Sequence, residues 1–283
     1  DNAYKNKYDI FDIPEKESYK PDNRLAVNFA KYITDTMNGF FIGIPIKMNA
    51  EDEKVKAYVE QLDAYNNQDD QNAELSKLMS IFGRAYEMYY VDEYGQIGIT
   101  YLSPMQAFMI YDDSVLCRTK YFVRYYKDTD DVEHGSISDG RVVKYFTEKG
   151  GLHWDGEERL HGFDGVPAVE YKENEERQGI YEGVLSCINA YNKALSEKAN
   201  DVDYFADAYL KILGIKLEEG EVTDIRSNRI INFEGDTGNV VVDFLQKPNA
   251  DESQENLLNR LERLIFAMSM VCLLYTSPSP RDS

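Results

Sequence analysis

IYEGVLSCINAYNKALSEKANDVDYFADAYLKIL, residues 180–213, decides how the rest of the chain reads. It holds no proline, and its one glycine, Gly183, stands near the start. Apolar residues fall at Val184, Ile188, Tyr191, Leu195, Val202, Phe205, Tyr209 and Leu213, with Ala199 bridging the widest step. Steps of three and four draw a stripe down one long amphipathic helix. At about 1.5 Å per residue it is about 50 Å long, whereas an average globular helix has about 11–12 residues. The remaining surface sets Glu182, Glu197, Asp201, Asp203 and Asp207 against Lys193, Lys198 and Lys211. A stripe this long needs a second helix, a second subunit or both to cover it. A long helix within an ordinary α+β enzyme is the plainer alternative, and this stretch alone does not separate the two.

Downstream, Gly214 stops the helix and the pattern changes. RIINF (229–233) and VVVDFL (240–245) flank a loop with two glycines, which reads as a β-hairpin. Pro248-Asn249 then opens another helix, with Asn249 and Glu252 as its capping pair and Leu257, Leu261, Leu264, Ile265 and Met268 as its stripe. Helix, small β module, helix describes an antiparallel stem carrying a protruding lobe. From residue 272 the string CLLYTSPSPRD abandons the stripe. It matches the translation of a sequencing-library adapter, so 272–283 is expected to be a non-native tail. The natural protein is then expected to continue past Val271. The chain also opens at Asp1 rather than Met, and a natural N-terminus is expected upstream.

Upstream, residues 1–20 are polar with scattered aromatics and read as a loosely held arm. Pro21-Asp22 opens a helix through Leu25, Phe29, Ile33 and Met37, with Asn38-Gly39 as its C-terminal cap. FFIGIPIK (40–47) is a short extended run, and Pro45 assigns it to an edge. A second helix begins at Asn49 and runs through Val55, Val59 and Leu62. After a polar loop at 66–71, a third runs through Leu75, Leu78, Met79 and Phe82. From Ala85 the period becomes two. Strands are expected at 85–91, 96–102, 107–111, 116–126, 141–147, 152–154 and 166–171, with Asp92-Glu93-Tyr94-Gly95 as the first hairpin turn. An acidic link, 172–178, leads back to the long helix. Three helices followed by an antiparallel meander make the fold class α+β.

Whole-chain numbers narrow the function. With 51 acids against 31 bases the net charge is −20, so on balance the 283-residue chain repels a polyanion. Tight nucleic-acid binding is disfavoured; letting DNA pass without holding it is not. A hydrophobic content of 43% suffices for packed cores. No apolar run reaches the length of a membrane-spanning helix. Three cysteines, Cys117, Cys187 and Cys272, are widely spaced and read as free thiols in a reducing compartment.

Catalytic signatures are missing. There is no GxxxxGK[ST] loop, GxGxxG, GxSxG, HExxH or EF-hand loop. His134, His153 and His161 lie in or beside turns at no metal-ligand spacing, and a structural role is favoured for each. Acid pairs such as Asp112-Asp113, Asp130-Asp131 and Glu157-Glu158 arise from composition alone. The 22 tyrosines, among them Tyr86, Tyr90, Tyr121 and Tyr125, suit a sheet surface with subunit contacts; a carbohydrate platform is the alternative. No cofactor or metal is called for.

Four stretches carry a family resemblance: NRLAVNFAKYITDTMNGFFIGIPIK (23–47), SIFGRAYEMYYVDEYGQIGITYLSPMQAFMIYDD (80–113), INAYNKALSEKANDVDYFADAYLKILG (188–214) and ADESQENLLNRLERLIFAMSM (250–270). In order and together, they resemble the portal proteins, or head–tail connectors, of tailed double-stranded DNA bacteriophages and related prophages. The resemblance implies an arm at 1–22, part of a wing domain at 23–178, a first stem helix at 179–213, a clip at 214–248 and a second stem helix at 249–271. It implies a non-enzymatic subunit of a twelve-membered ring at one capsid vertex, assembled in the host bacterial cytoplasm. Double-stranded DNA would be packaged and ejected through the ring without sequence-specific binding. Implied partners are the terminase large subunit, a head–tail adaptor and capsid or scaffolding protein, with no membrane. Glu197, Asp201, Asp203 and Asp207 would then face the channel or the ring seam. Glu218, Glu219, Glu221, Arg226, Arg229 and Asp236 would form the clip surface that meets terminase. The family's tunnel loop and crown lie beyond these residues, so this chain is expected to assemble poorly alone. The rival readings are a monomeric aromatic-rich, glycan-type binding module and a hydrolase with two convergent carboxylates.

Overall fold

The computed structural model describes residues 1–17, 20–206, 210–213, 241–244 and 251–271. The fold is α+β. Its helices are α1 (Phe29–Ile42), α2 (Glu53–Asn66), α3 (Gln68–Phe82), α4 (Leu185–Ala206) and α5 (Asp251–Ser269). Its strands are β1 (Arg84–Val91), β2 (Ile97–Leu102), β3 (Ala107–Tyr111), β4 (Thr119–Lys127), β5 (Glu133–Ser138), β6 (Val142–Glu148), β7 (Leu152–Trp154), β8 (Arg159–Leu160), β9 (Ala168–Lys172), β10 (Leu210–Leu213) and β11 (Val241–Phe244). The chain divides into two compact units. One is built from Asp1–Tyr8, Val27–Ile188 and the described residues from Arg263 to Val271; the other from Asp9–Ala26 and the described residues between Asn189 and Glu262.

In the first unit, β1 lies between β2 and β9 in an antiparallel three-stranded sheet. The strands from β3 to β7 form an antiparallel meander, with β8 also pairing β6. The two sheets share a core of Tyr86, Leu102, Ala107, Phe122 and Ala168, with Met88, Met109 and Val166 packed against it. Helix α3 ends at Gly83, whose φ of 74° is the left-handed cap that glycine supplies without strain. A Cβ there would lie 2.0 Å from the Arg177 carbonyl oxygen, so the close approach of the 174–180 segment also requires glycine. The expected loop at 66–71 shrinks to one left-handed residue, Asn67, between α2 and α3. Two strands were not expected at all: β5, which pairs with both β4 and β6, and the two-residue β8, which pairs with β6.

The first helix differs from its expectation at both ends. It starts at Phe29, capped by the Asn28 side chain accepting from Lys31 N–H, and it runs through Asn38-Gly39 to Ile42. Residues 21–28 form no helix, and two of their amides are bonded elsewhere: Asn23 N–H donates to Asn200 Oδ1 and Leu25 N–H to Ser196 Oγ. A backbone committed outward cannot close helical turns. The expected strand at 40–47 is not one either; it finishes α1, bends at Gly43-Ile44 and continues without regular secondary structure. The start of the arm, residues 1–8, is not loosely held. Ala3 and Tyr8 are buried, and the Tyr8 hydroxyl donates to the Asn28 cap at 2.9 Å.

The long helix is shorter than its periodicity. A 3₁₀ turn at Glu182–Val184 leads into α4, which ends at Ala206. At about 1.5 Å per residue it is about 33 Å long. Leu210–Leu213 forms β10 and pairs antiparallel with β11. LKIL fits either period, and the β-branched partner VVDF decides in favour of the strand. The expected hairpin partner at 229–233 lies outside the described residues.

Candidate functional site

Helix α4 is the element on which the functional expectation rests. Its buried line falls at Ile188, Asn192, Ser196 and Asn200, every fourth residue, continuing from Val184 in the preceding turn. This is not the expected stripe: Val202 is 63% exposed, and three positions of the buried line are polar. Buried polar groups need partners, and for Ser196 and Asn200 the segment before α1 supplies them. Asn200 Oδ1 accepts from Asn23 N–H at 2.6 Å, and Ser196 Oγ from Leu25 N–H at 2.9 Å. Four helical residues rise about 6 Å, close to the about 6.6 Å spanned by two extended residues. Alternate amides of the strap therefore meet successive turns of the helix. Sequence reasoning singled out none of Asn192, Ser196 and Asn200; their strict fourfold spacing was the signal available.

The acids expected at the channel or seam have partners within the chain. Glu197 takes the Lys16 ammonium at 3.1 Å with its side chain half exposed. Asp203, exposed, accepts from Asn23 Nδ2 at 2.5 Å. Asp201 accepts from Gln254 Nε2 at 2.9 Å, and Lys198 pairs with Glu255. These last two contacts join α4 to α5, and their order gives the two helices opposite directions. Asp207 lies outside the described residues, as do Glu218, Glu219, Glu221, Arg226, Arg229 and Asp236. The α5 stripe is also rotated from expectation: Leu258, Ile265, Phe266 and Ser269 are buried, while Leu257 and Met268 are exposed. Phe266 packs edge-on against Phe29 and Tyr32, each at 5.7 Å between ring centres.

In the first unit two carboxylates are buried in the three-stranded sheet. Glu170 on β9 receives the Arg177 guanidinium as a fork, at 2.9 and 3.0 Å, and the Tyr111 hydroxyl. Burial acts to raise its carboxyl, but Arg177 and Tyr111 outweigh burial and hold it below the ordinary value. Glu87 on β1 is 6% exposed and accepts from Gln68 Nε2, Tyr89 OH and Tyr171 OH at 3.2, 2.6 and 3.0 Å. Burial and then Glu87 push the Tyr171 phenol up to about 12. The tyrosines at these places serve the sheet's own carboxylates. His134 lies 2.8 Å from Asp128 and stacks on Tyr126, and His161 meets the Asp139 carbonyl at 3.0 Å and stacks on Phe163. Among the described residues no group of three or more His, Cys, Asp or Glu could hold a metal ion, and no helix is long and apolar enough to cross a membrane.

Comparison with known proteins agrees with the resemblance drawn from the sequence. The family model "Phage portal protein, SPP1 Gp6-like" matches residues 1–274. The portal protein of Bacillus phage SPP1 is 23% identical over 270 residues, covering 87% of this chain and 52% of that protein. The chain thus spans about half the length of the curated relative it matches. Among solved structures, a chain from the neck of an empty gene transfer agent particle, computed with C6 symmetry, aligns over 92% of this chain and 71% of its own. Its TM-score is 0.49 at 11% identity. A chain from the native gene transfer agent virion aligns over 89% and 68%, with a TM-score of 0.47 at 10% identity. The match of the family model from end to end of the described residues places this chain among the SPP1 Gp6-like phage portal proteins.

Proposed function

We propose that the chain is a portal subunit. Twelve copies form a ring at one vertex of the capsid, and double-stranded DNA enters and leaves through its centre. The protein catalyses nothing; it is a conduit and a docking platform. The observation that carries this reading is the family match over residues 1–274. The paired α4 and α5, the proposed stem, are consistent with it. The residues at 214–248 form the clip that meets the terminase large subunit, through Glu218, Glu219, Glu221, Arg226, Arg229 and Asp236. A head–tail adaptor and capsid or scaffolding protein are the other partners. Assembly takes place in the host bacterial cytoplasm, and the mature location is the virion.

Charge supports a passage that does not grip. A net charge of −20 leaves few cations to neutralise phosphates. Glu197, Asp201, Asp203 and Asp207 are proposed to line the channel or the seam between subunits. Negative-stain imaging of the protein extended to the full length of its relatives tests the reading. Rings of twelve with a central hole are expected, and particles of monomer size would overturn it. Asp203→Lys is then expected to slow packaging of DNA while leaving ring formation intact.

A further inference from the structure

The two outer edges of the three-stranded sheet are treated differently. The β2 edge is closed by side chains: Asn66 donates to the Ile97 carbonyl at 3.0 Å and accepts from Ile99 N–H at 2.7 Å, and Gln71 accepts from Tyr101 N–H at 3.3 Å. Along β9 no side chain covers the outer edge among the described residues, and only the Ala168 N–H is taken up, by the Val166 carbonyl at 2.8 Å. Tyr89 N–H donates to the Pro167 carbonyl and Glu173 N–H to the Gly83 carbonyl, which turns the backbone groups of Val169 and Tyr171 toward β1. Those of Glu170 and Lys172 point outward, and no backbone partner for them is found among the described residues. Such an edge is a template for another strand.

The same unit carries a segment of no regular secondary structure, residues 45–50, which follows a bend at Gly43-Ile44. Phe40, Phe41, Ile44, Ile46 and Met48 are 87, 67, 82, 59 and 57% exposed. No backbone hydrogen bond is found for residues 44–50 among the described residues. In extended chain alternate N–H groups face one edge. Pro45 has none, so the edge it shares with Lys47 is broken, while the edge of Ile44, Ile46 and Met48 is complete. Lys47 is the sole charged residue in 40–50, and no ion pair is found for it among the described residues. Glu87, next to β9, is a buried carboxylate with three hydrogen-bond donors and no cation among the described residues.

We propose that residues 44–48 of one copy add as an antiparallel strand to the β9 edge of a second copy. This rests on reading the copies as assembling with one another. With Ile46 opposite Glu170, Ile44 faces Lys172 and Met48 faces Ala168. Lys47 then lies on the Val169–Tyr171 side, about two strand spacings, roughly 10 Å, from β1 and Glu87. A lysine and a glutamate reaching toward each other span that gap. Two copies that each carry a charge of −20 thus meet where one offers a low-charge segment with a single cation and the other an uncompensated carboxylate. The two surfaces differ, so the contact is head to tail, the kind that closes a ring.

The test mixes chains carrying Ile44→Cys with chains carrying Lys172→Cys under mild oxidation. A disulfide-linked pair is expected only in the mixture, since opposed residues of an antiparallel pair lie about 5.5 Å apart, within disulfide reach. Ile46→Pro removes the N–H that would face β9. It is expected to leave circular dichroism and the thermal midpoint unchanged while weakening self-association by about tenfold or more. No linkage above the single-variant controls, or self-association unchanged by Ile46→Pro, overturns the proposal. Rings that persist without linkage would overturn strand addition and leave the ring reading standing. Linked pairs in a full-length protein that never forms rings would do the reverse.

Discussion

The Ser196 hydroxyl accepts the backbone N–H of Leu25 at 2.9 Å, fastening an extended segment to a helix 171 positions away in sequence. Removing the acceptor leaves a part-buried amide unpaired. Ser196→Ala is therefore expected to cost about 1–3 kcal/mol. Urea unfolding checks it, and Ser186→Ala, at an exposed position of the same helix, is expected to change stability by less than about 0.5 kcal/mol.

Arg177 and Glu170 give a pH dependence with a fixed sign. The Glu170 carboxyl is held low in the folded chain, so its stabilising contribution is complete above the ordinary carboxylate value. That contribution fades as pH falls from there through the lower folded value. Denaturation midpoints are expected to drop over that acid range, and Glu170→Gln is expected to flatten this part of the profile. Arg177→Met leaves Glu170 with the Tyr111 hydroxyl and Arg84 at 3.9 Å, and is expected to cost about 1.5–3 kcal/mol near neutral pH.

Gly83 and Gly95 share a positive φ, 74° and 76°, but not their surroundings. A Cβ on Gly95 meets nothing within 4 Å, whereas one on Gly83 would lie 2.0 Å from a backbone oxygen. Gly95→Ala is expected to cost about 1–2 kcal/mol from conformation alone. Gly83→Ala is expected to cost clearly more, read as the larger fall in thermal midpoint.

Asn66 stands in for a missing strand along β2. Asn66→Ala is expected to lose about 1–3 kcal/mol and to expose a sheet edge. Light scattering at raised temperature should report faster aggregation than for the native chain.

Much of the architecture was legible where periodicity and turn chemistry agreed. The end of α3 at Gly83, the hairpin around Asp92–Gly95 and most of the meander are local events, and local signals mark them. What escaped depends on distant partners. β5, EHGSIS, shows little apolar alternation; it is a strand because β4 and β6 hold both its edges. Gly135 is needed there because a Cβ would strike the Phe146 ring at 2.2 Å. LKIL at 210–213 read as helix until a remote VVDF segment paired with it. The start of α1 was misplaced because Ser196 and Asn200, far along the chain, claim the amides that a helix would use. Of the candidate acids, Glu197, Asp201 and Asp203 were recognisable as a charged face, but their partners Lys16, Gln254 and Asn23 were not.

The near match between two extended residues and four helical ones makes the strap on α4 behave like a vernier. Asn23 and Leu25 engage while the residue between them points its amide away. Sliding the strap by one residue offers the wrong amides to both Asn200 and Ser196 at once, and sliding it by two so that Asn23 meets Ser196 sets Pro21, which has no N–H, opposite Asn200. A single inserted residue in this segment is therefore absorbed beyond the graduated stretch, before Asn23 or after Leu25, and the alignment itself is all or nothing.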